Sequence, residues 1–210
     1  ISSFEALDLL LGTAANRAIF PNLTDVVIVG HSAGGQFADR YAASTGEQAA
    51  LAAAGVRVRY VVANPSSYLY FDATRWHATA GTFTALSSTE RQACSAYDTY
   101  KYGITGLNAY TGSVGGATLR AQYGARSLTY LLGSLDTDPY DTSLDTSCPA
   151  KWQGAVRLER GLTHYSYLGT IYGQGVYANH LLMTVSGVGH DAKGIYTSPD
   201  GRAALFGSPG

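Results

Sequence analysis

The chain has 210 residues, 46% of them hydrophobic and 14% charged, with a formal net charge of −1. That balance suits one globular domain with a sizeable core and excludes the low-hydrophobicity, high-charge signature of disorder. No basic run supports a nucleic-acid footprint, and the apolar stretches are too short to span a membrane.

The opening residues carry no basic leader, and Glu5 and Asp8 interrupt their apolar pattern, so they do not read as a signal peptide. Phe4, Leu7, Leu10 and Leu11 recur at helical spacing, and Pro21 closes that segment. Asn22-Leu23-Thr24 spells a glycosylation sequon, a pattern short enough to recur by chance. Asp25 to Gly30 is a run of Val and Ile, the pattern of a strand buried on both faces. Residues 33–43 then read as a helix, and Ala49 to Ala54 as the end of another, stopped by Gly55.

A second strand alternates through Val56, Val58, Tyr60 and Val62 and ends at Asn64-Pro65. Residues 66–125, rich in Tyr, Thr, Ser and Gly, read as an irregular excursion with short helical hints. Ser127 to Gly133 is a third strand. Pro149 stands at a plausible first helical position, and one long amphipathic helix is expected from there through Trp152, Val156, Leu158, Leu162 and Tyr165. His180 to Val185 is a fourth strand, and Ser198-Pro199 starts a short final helix. Strands separated by helices point to an α/β fold, a mostly parallel sheet flanked by helices, formed by residues 1–210 as one domain. In such sheets the working residues gather at the carboxyl ends of the strands.

Gly30-His31-Ser32-Ala33-Gly34 fits G-x-S-x-G, with a strand before it and a helix after it. That setting holds the serine in a strained turn that lifts its hydroxyl clear of the sheet, and the Ala33 N–H can face a developing oxyanion. A serine hydroxyl needs a base, itself oriented by an acid. Of five histidines, His31 is locked inside the turn, His77 lies in the excursion, His164 within the long helix and His180 at the wrong end of its strand. His190, on a glycine-flanked loop after the last strand, remains as the base. Asp136 stands closest to the end of the third strand and is the expected acid, with Asp138 as the alternative and Asp141 nearby. The aspartate spacing lacks the central glycine and terminal glutamate of an EF-hand.

With the order Ser32, Asp136, His190, the chain resembles the α/β-hydrolases, whose elbow serine, late-strand acid and final-loop histidine come in that sequence. HSAGGQF and the Cys148 segment resemble secreted or exported bacterial and fungal hydrolases. The resemblance implies about four further strands before the elbow strand and a second oxyanion donor from that part. The chain then corresponds to the portion of the fold from the elbow strand onward, and a complementing N-terminal segment or chain is expected; without one, the VVIVG strand is an exposed apolar edge.

The resulting expectation is a serine hydrolase cleaving small-molecule or polymeric carboxylic esters, with no metal or organic cofactor. Amide or peptide cleavage uses the same triad, and a non-catalytic binding module on this fold is the non-enzymatic alternative. A lipase would want a more apolar lid than residues 66–125 supply. Sixteen tyrosines suggest an aromatic-lined cleft, with His31, Tyr68 and Tyr70 as substrate contacts. Cys94 and Cys148 lie in polar surroundings, which favours a disulfide and a secreted or periplasmic location over two unrelated thiols.

Overall fold

A four-stranded, wholly parallel sheet organises the computed structural model, which describes residues 1–207. Helix α1 (Ser3–Ala14) begins at a capping box, in which Ser2 and Glu5 satisfy each other's backbone N–H groups. Strand β1 (Asp25–His31) passes through Ser32 into α2 (Ala33–Ser44), and α3 (Gln48–Ala53) precedes β2 (Arg57–Ala63). A hairpin follows, β3 (Thr74–His77) with β4 (Thr82–Ala85), then α4 (Ser88–Ala93), α5 (Ala109–Val114) and α6 (Gly116–Ala125). Next come β5 (Ser127–Gly133), the single turn α7 (Cys148–Lys151) and the sixteen-residue α8 (Arg157–Tyr172). Strand β6 (His180–Val185), α9 (Ala192–Thr197) and α10 (Pro199–Phe206) complete the order, α10 opening on the expected Ser198 cap and Pro199.

The sheet runs β1-β2-β5-β6, so the loops after His31, Ala63, Gly133 and Val185 share one rim. Central β5 is buried from Leu128 to Gly133, as its continuous apolar run requires. β1 departs from the expected two-sided burial: Ile28 is 8% exposed but Val29 is 39% exposed. Among the described residues the strand lies at the sheet's end, paired with β2 alone. No helix among the described residues is long and apolar enough to cross a membrane.

Two other expectations change. The excursion contains a hairpin and a ten-residue helix, α6, which buries Leu119 and Tyr123 completely. Its Gly- and Thr-containing sequence has no strong apolar stripe, so packing rather than periodicity holds it. The long helix expected from Pro149 is two pieces. Gly154 adopts φ 144°, a conformation side chains rarely take, and α8 restarts at Arg157, leaving Trp152 and Val156 outside it.

Much of the tyrosine content goes into the core. Tyr41, Tyr60, Tyr68, Tyr70, Tyr123, Tyr130 and Tyr167 are all fully buried. Several hydroxyls find partners: Tyr41 donates to Asp8 at 2.6 Å, Tyr167 accepts from the Phe71 N–H at 2.8 Å, and Tyr123 donates to buried Asp39. Tyr130 Oη lies 3.0 Å from His180 Nδ1 and 2.8 Å from the Tyr123 hydroxyl, and His180 Nε2 lies 3.0 Å from the Tyr123 carbonyl oxygen. Cys94 and Cys148 are joined with Cα atoms 5.8 Å apart, tying the end of α4 to the start of α7.

Burial lowers His180 from 6.5 to about 4 and His164 from 6.5 to about 3. The unfolded chain takes up these protons below about pH 6.5 while the native chain refuses them. Stability present above that pH is therefore lost on acidification, by about 1.4 kcal/mol per pH unit for each histidine until its own native value is reached. Urea unfolding at several pH values reads the slope, which His180→Asn should reduce; an unchanged slope excludes His180 as a source. Closing a loop of 54 residues should contribute about 4 kcal/mol through the unfolded state. The Cys94→Ala/Cys148→Ala variant should unfold at correspondingly lower urea, and an identical midpoint contradicts that assignment.

Candidate active site

The turn between β1 and α2 is set by packing. A Cβ on Gly30 would overlap the Gly34 carbonyl, and one on Gly35 would lie 2.6 Å from the Ala63 carbonyl oxygen. Helix α2 can lie against β1 and β2 only because both positions are bare. Gly34, the second glycine of the motif, has open space where a Cβ would stand, so Gly35 carries the contact that the pentapeptide pattern suggests for Gly34. Between strand and helix Ser32 is driven to φ 55°, ψ −116°, a strained setting for a residue with a side chain. Its N–H donates to Ala63 O at 2.9 Å and its carbonyl accepts from Gln36 N at 3.0 Å, holding the turn on both sides. Ala33 is the first residue of α2, where a backbone N–H has no acceptor within the helix.

The loops after β5 and β6 are laced together. Ser134 N donates to Val185 O at 3.0 Å, Leu135 N to Val188 O at 2.9 Å and Gly187 N to Ser134 Oγ at 2.9 Å. A Cβ on Gly133 would come within 2.6 Å of the Gly189 carbonyl oxygen, so the two loops touch backbone to backbone. Asp191 caps α9 by accepting from the Lys193 and Gly194 N–H groups, each at 3.0 Å, and fixes the far side of the histidine loop.

These constraints bring Ser32, His190 and Asp136 together. His190 Nδ1 lies 2.8 Å from Asp136 Oδ2, and His190 Nε2 lies 3.0 Å from Ser32 Oγ. A carboxylate only accepts, so Nδ1 carries the proton and Nε2 is free to accept from the serine hydroxyl. The Asp136 side chain is 3% exposed and that of His190 17%: the carboxylate is sealed and the imidazole reaches solvent. Asp138, the alternative acid, accepts from the Tyr140 N–H at 2.8 Å in a turn of its own.

His31 also belongs to this rim, its ring centroid 4.6 Å from that of His190. Burial first, and the neighbouring His190 second, lower its pKa, favouring a neutral imidazole. Tyr68 and Tyr70 do not reach the site. Tyr68 is stacked on His164 with centroids 4.5 Å apart, and both tyrosines are fully buried, so the expected substrate contacts fail for want of access. A cleft of about 270 Å³ between the β3 end and the start of α8, lined by Trp76, His77, Trp152 and Glu159, contains none of the three assembled residues.

Two neighbours escaped the sequence reading. Asn64, 1% exposed at φ 44°, accepts from Gly133 N at 2.8 Å and donates to Gly189 O at 3.2 Å, joining the ends of β2 and β5 to the histidine loop. The available signal was an asparagine at a strand end, since this residue type tolerates the left-handed region. Arg157 donates to Asp136 Oδ1 at 3.3 Å, a contact that no local pattern announces.

No family model matches the sequence, and no curated protein matches it. Among solved structures, the chain is similar to poly(aspartic acid) hydrolase-1 from Sphingomonas sp. KT-1, with a TM-score of 0.60 at 24% identity over 97% of this chain. It is also similar to a poly(3-hydroxybutyrate) depolymerase from Bordetella parapertussis, with a TM-score of 0.56 at 23% identity over 87% of this chain. The matches span 62% and 49% of those two chains. At such identities the likeness speaks to the fold, which is the parallel α/β architecture described above.

Gly30→Ala should destabilise the protein by several kcal/mol, because backbone rather than a movable side chain blocks the added methyl. Gly34→Ala should be tolerated to within about 1 kcal/mol, since alanine is the better helix former. Thermal unfolding of both variants checks the contrast, and equal losses would refute it.

Proposed function

We propose that this chain, an α/β-hydrolase by fold, is a serine hydrolase that cleaves carboxylic esters through an acyl-enzyme on Ser32. The observation that carries the reading is the unbroken hydrogen-bonded run from Ser32 Oγ through His190 to Asp136, at 3.0 and 2.8 Å. Ser32 Oγ attacks the ester carbonyl while His190 Nε2 takes its proton. Asp136, sealed from water, favours the imidazolium that forms, and the Ala33 N–H faces the tetrahedral oxyanion. Collapse transfers the proton from His190 to the leaving alkoxide, which departs as the alcohol. Water, deprotonated by the same imidazole, then attacks the acyl-serine; the bond to Ser32 Oγ breaks as His190 returns the proton to it, and the acid is released.

The depolymerase likeness supports a polymeric ester as substrate. The poly(aspartic acid) hydrolase likeness favours a second reading, amide cleavage by the same residues, which differs in the leaving group that His190 must protonate. Retention of all three residues in bonding geometry weighs against a non-catalytic binding module. The Cys94–Cys148 bond supports an oxidising location, secreted or periplasmic. The outer edge of β1, unpaired among the described residues, supports pairing with a complementing segment or chain that donates a second oxyanion N–H.

A fluorophosphonate probe should label the protein, and Ser32→Ala should abolish labelling. His190→Ala should lower ester turnover by about 10⁴-fold or more, the size of loss when triad members are removed. An unlabelled wild type, or a labelled Ser32→Ala variant, refutes the reading. Side-by-side turnover of poly(3-hydroxybutyrate) and poly(aspartic acid) separates ester from amide preference.

A further inference from the structure

Arg157 is a buried cation that takes no part in the acyl-transfer steps above, its side chain 1% exposed at the start of α8. Its Nε donates to Ser66 Oγ at 3.0 Å and its Nη1 to Asp136 Oδ1 at 3.3 Å. Its Nη2 donates to Asp141 Oδ1 at 3.2 Å and to Ser143 Oγ at 2.8 Å. Asp136 therefore faces the imidazole with Oδ2 and the guanidinium with Oδ1. Asp141 closes the group with a side chain that is 25% exposed. The Ser143 hydroxyl first, and Arg157 second, hold Asp141 well below the usual carboxylate range, so it stays charged where ordinary carboxylates begin to take up protons.

The charges decide what this arrangement does. Two carboxylates against one guanidinium leave the group with one excess negative charge while His190 is neutral. Once His190 takes the serine proton, the group is electrically balanced. If Arg157 faced Asp136 alone, it would cancel the pull on the imidazolium; if Arg157 were absent, Asp136 would be a buried carboxylate with one oxygen deprived of its partner. Other ionisable groups border the imidazole. His31 faces it from the end of β1, Tyr196 of α9 lies against His31 with centroids 6.5 Å apart, and Asp191 follows in the chain. Behind Arg157, Arg160 Nη1 is bonded to the Asp145 carbonyl at 2.8 Å. These groups are common to every variant below.

We propose that Arg157, balanced by Asp141, is a positioning residue that fixes the Asp136 carboxylate and sets how firmly it retains a proton on His190. The proposal rests on the serine-hydrolase reading for its consequence, but its electrostatic content can be measured without turnover. Asp141→Asn keeps the oxygen that accepts from Ser143 N and Oγ, both at 2.7 Å, and removes only the charge. It should move the acid limb of the fluorophosphonate labelling rate to lower pH, by roughly half a pH unit or more for one charge at this range. Arg157→Gln should move the limb the opposite way, and Arg157→Lys, which keeps the charge without the fork, should return it close to wild type. An NMR titration of the His190 ring reads the same shifts directly.

Opposite displacements in Asp141→Asn and Arg157→Gln support the proposal. A limb and a ring titration unmoved in Asp141→Asn, or moved upward, overturn it. If Arg157→Gln does not fold, the partly exposed Asp141→Asn variant decides the matter alone. Opposite displacements of the His190 ring titration in the two variants, with a wild type that takes no label, refute the hydrolase reading and leave the electrostatic assignment intact.

Discussion

The absence of a side chain at Gly30 is the constraint on which the rest of the structure depends. Because the Gly34 carbonyl occupies the space a Cβ would need, the chain can leave β1 and enter α2 within one residue. Gly35 allows the same helix to approach the end of β2. With both contacts made, Ser32 has no choice but positive φ, and its hydroxyl stands at the carboxyl rim of the sheet. The strain at that residue is sustained by backbone hydrogen bonds to Ala63 and Gln36, which form only when strand and helix are both in place.

The opposite wall of the site is built from loops rather than from an element, and its rigidity comes from polar groups. Asn64 occupies the junction of three segments and satisfies the backbone of two of them with one amide. The interior beneath is unusually polar for a sheet core. Asp39, Tyr123, Tyr130 and His180 form a continuous series of buried polar contacts. Such a series is costly if any member is missing, because each unpaired group retains its full desolvation penalty.

Burial also separates the roles of chemically similar groups. His180 and His164 are sealed in the core and kept neutral, whereas His190 reaches solvent and hydrogen-bonds a carboxylate. Asp136 is enclosed beside a cation, while Asp138 serves a turn. The residue types are the same in each pair; their surroundings make the difference.

Much of this was legible in the linear order. Short apolar runs mark the strands, G-x-S-x-G marks the turn, and a glycine-flanked histidine after the last strand marks the third loop, because these signals rest on local backbone geometry and on short-range apolar patterning. Tyr68 and Tyr70 were misread because tyrosine is amphipathic, and nothing local tells a buried hydroxyl from one facing a ligand. Helix α6 and the break at Gly154 were missed because packing, not periodicity, determines them. By itself the sequence determined the parallel α/β order and which serine sits at the sharp turn, since both follow from neighbouring residues. Only the tertiary structure decided that Asp136 lies within reach of His190, that Arg157 stands behind it, and that Asn64 joins the loops, because those contacts connect residues distant in the chain and depend on the loops' actual paths.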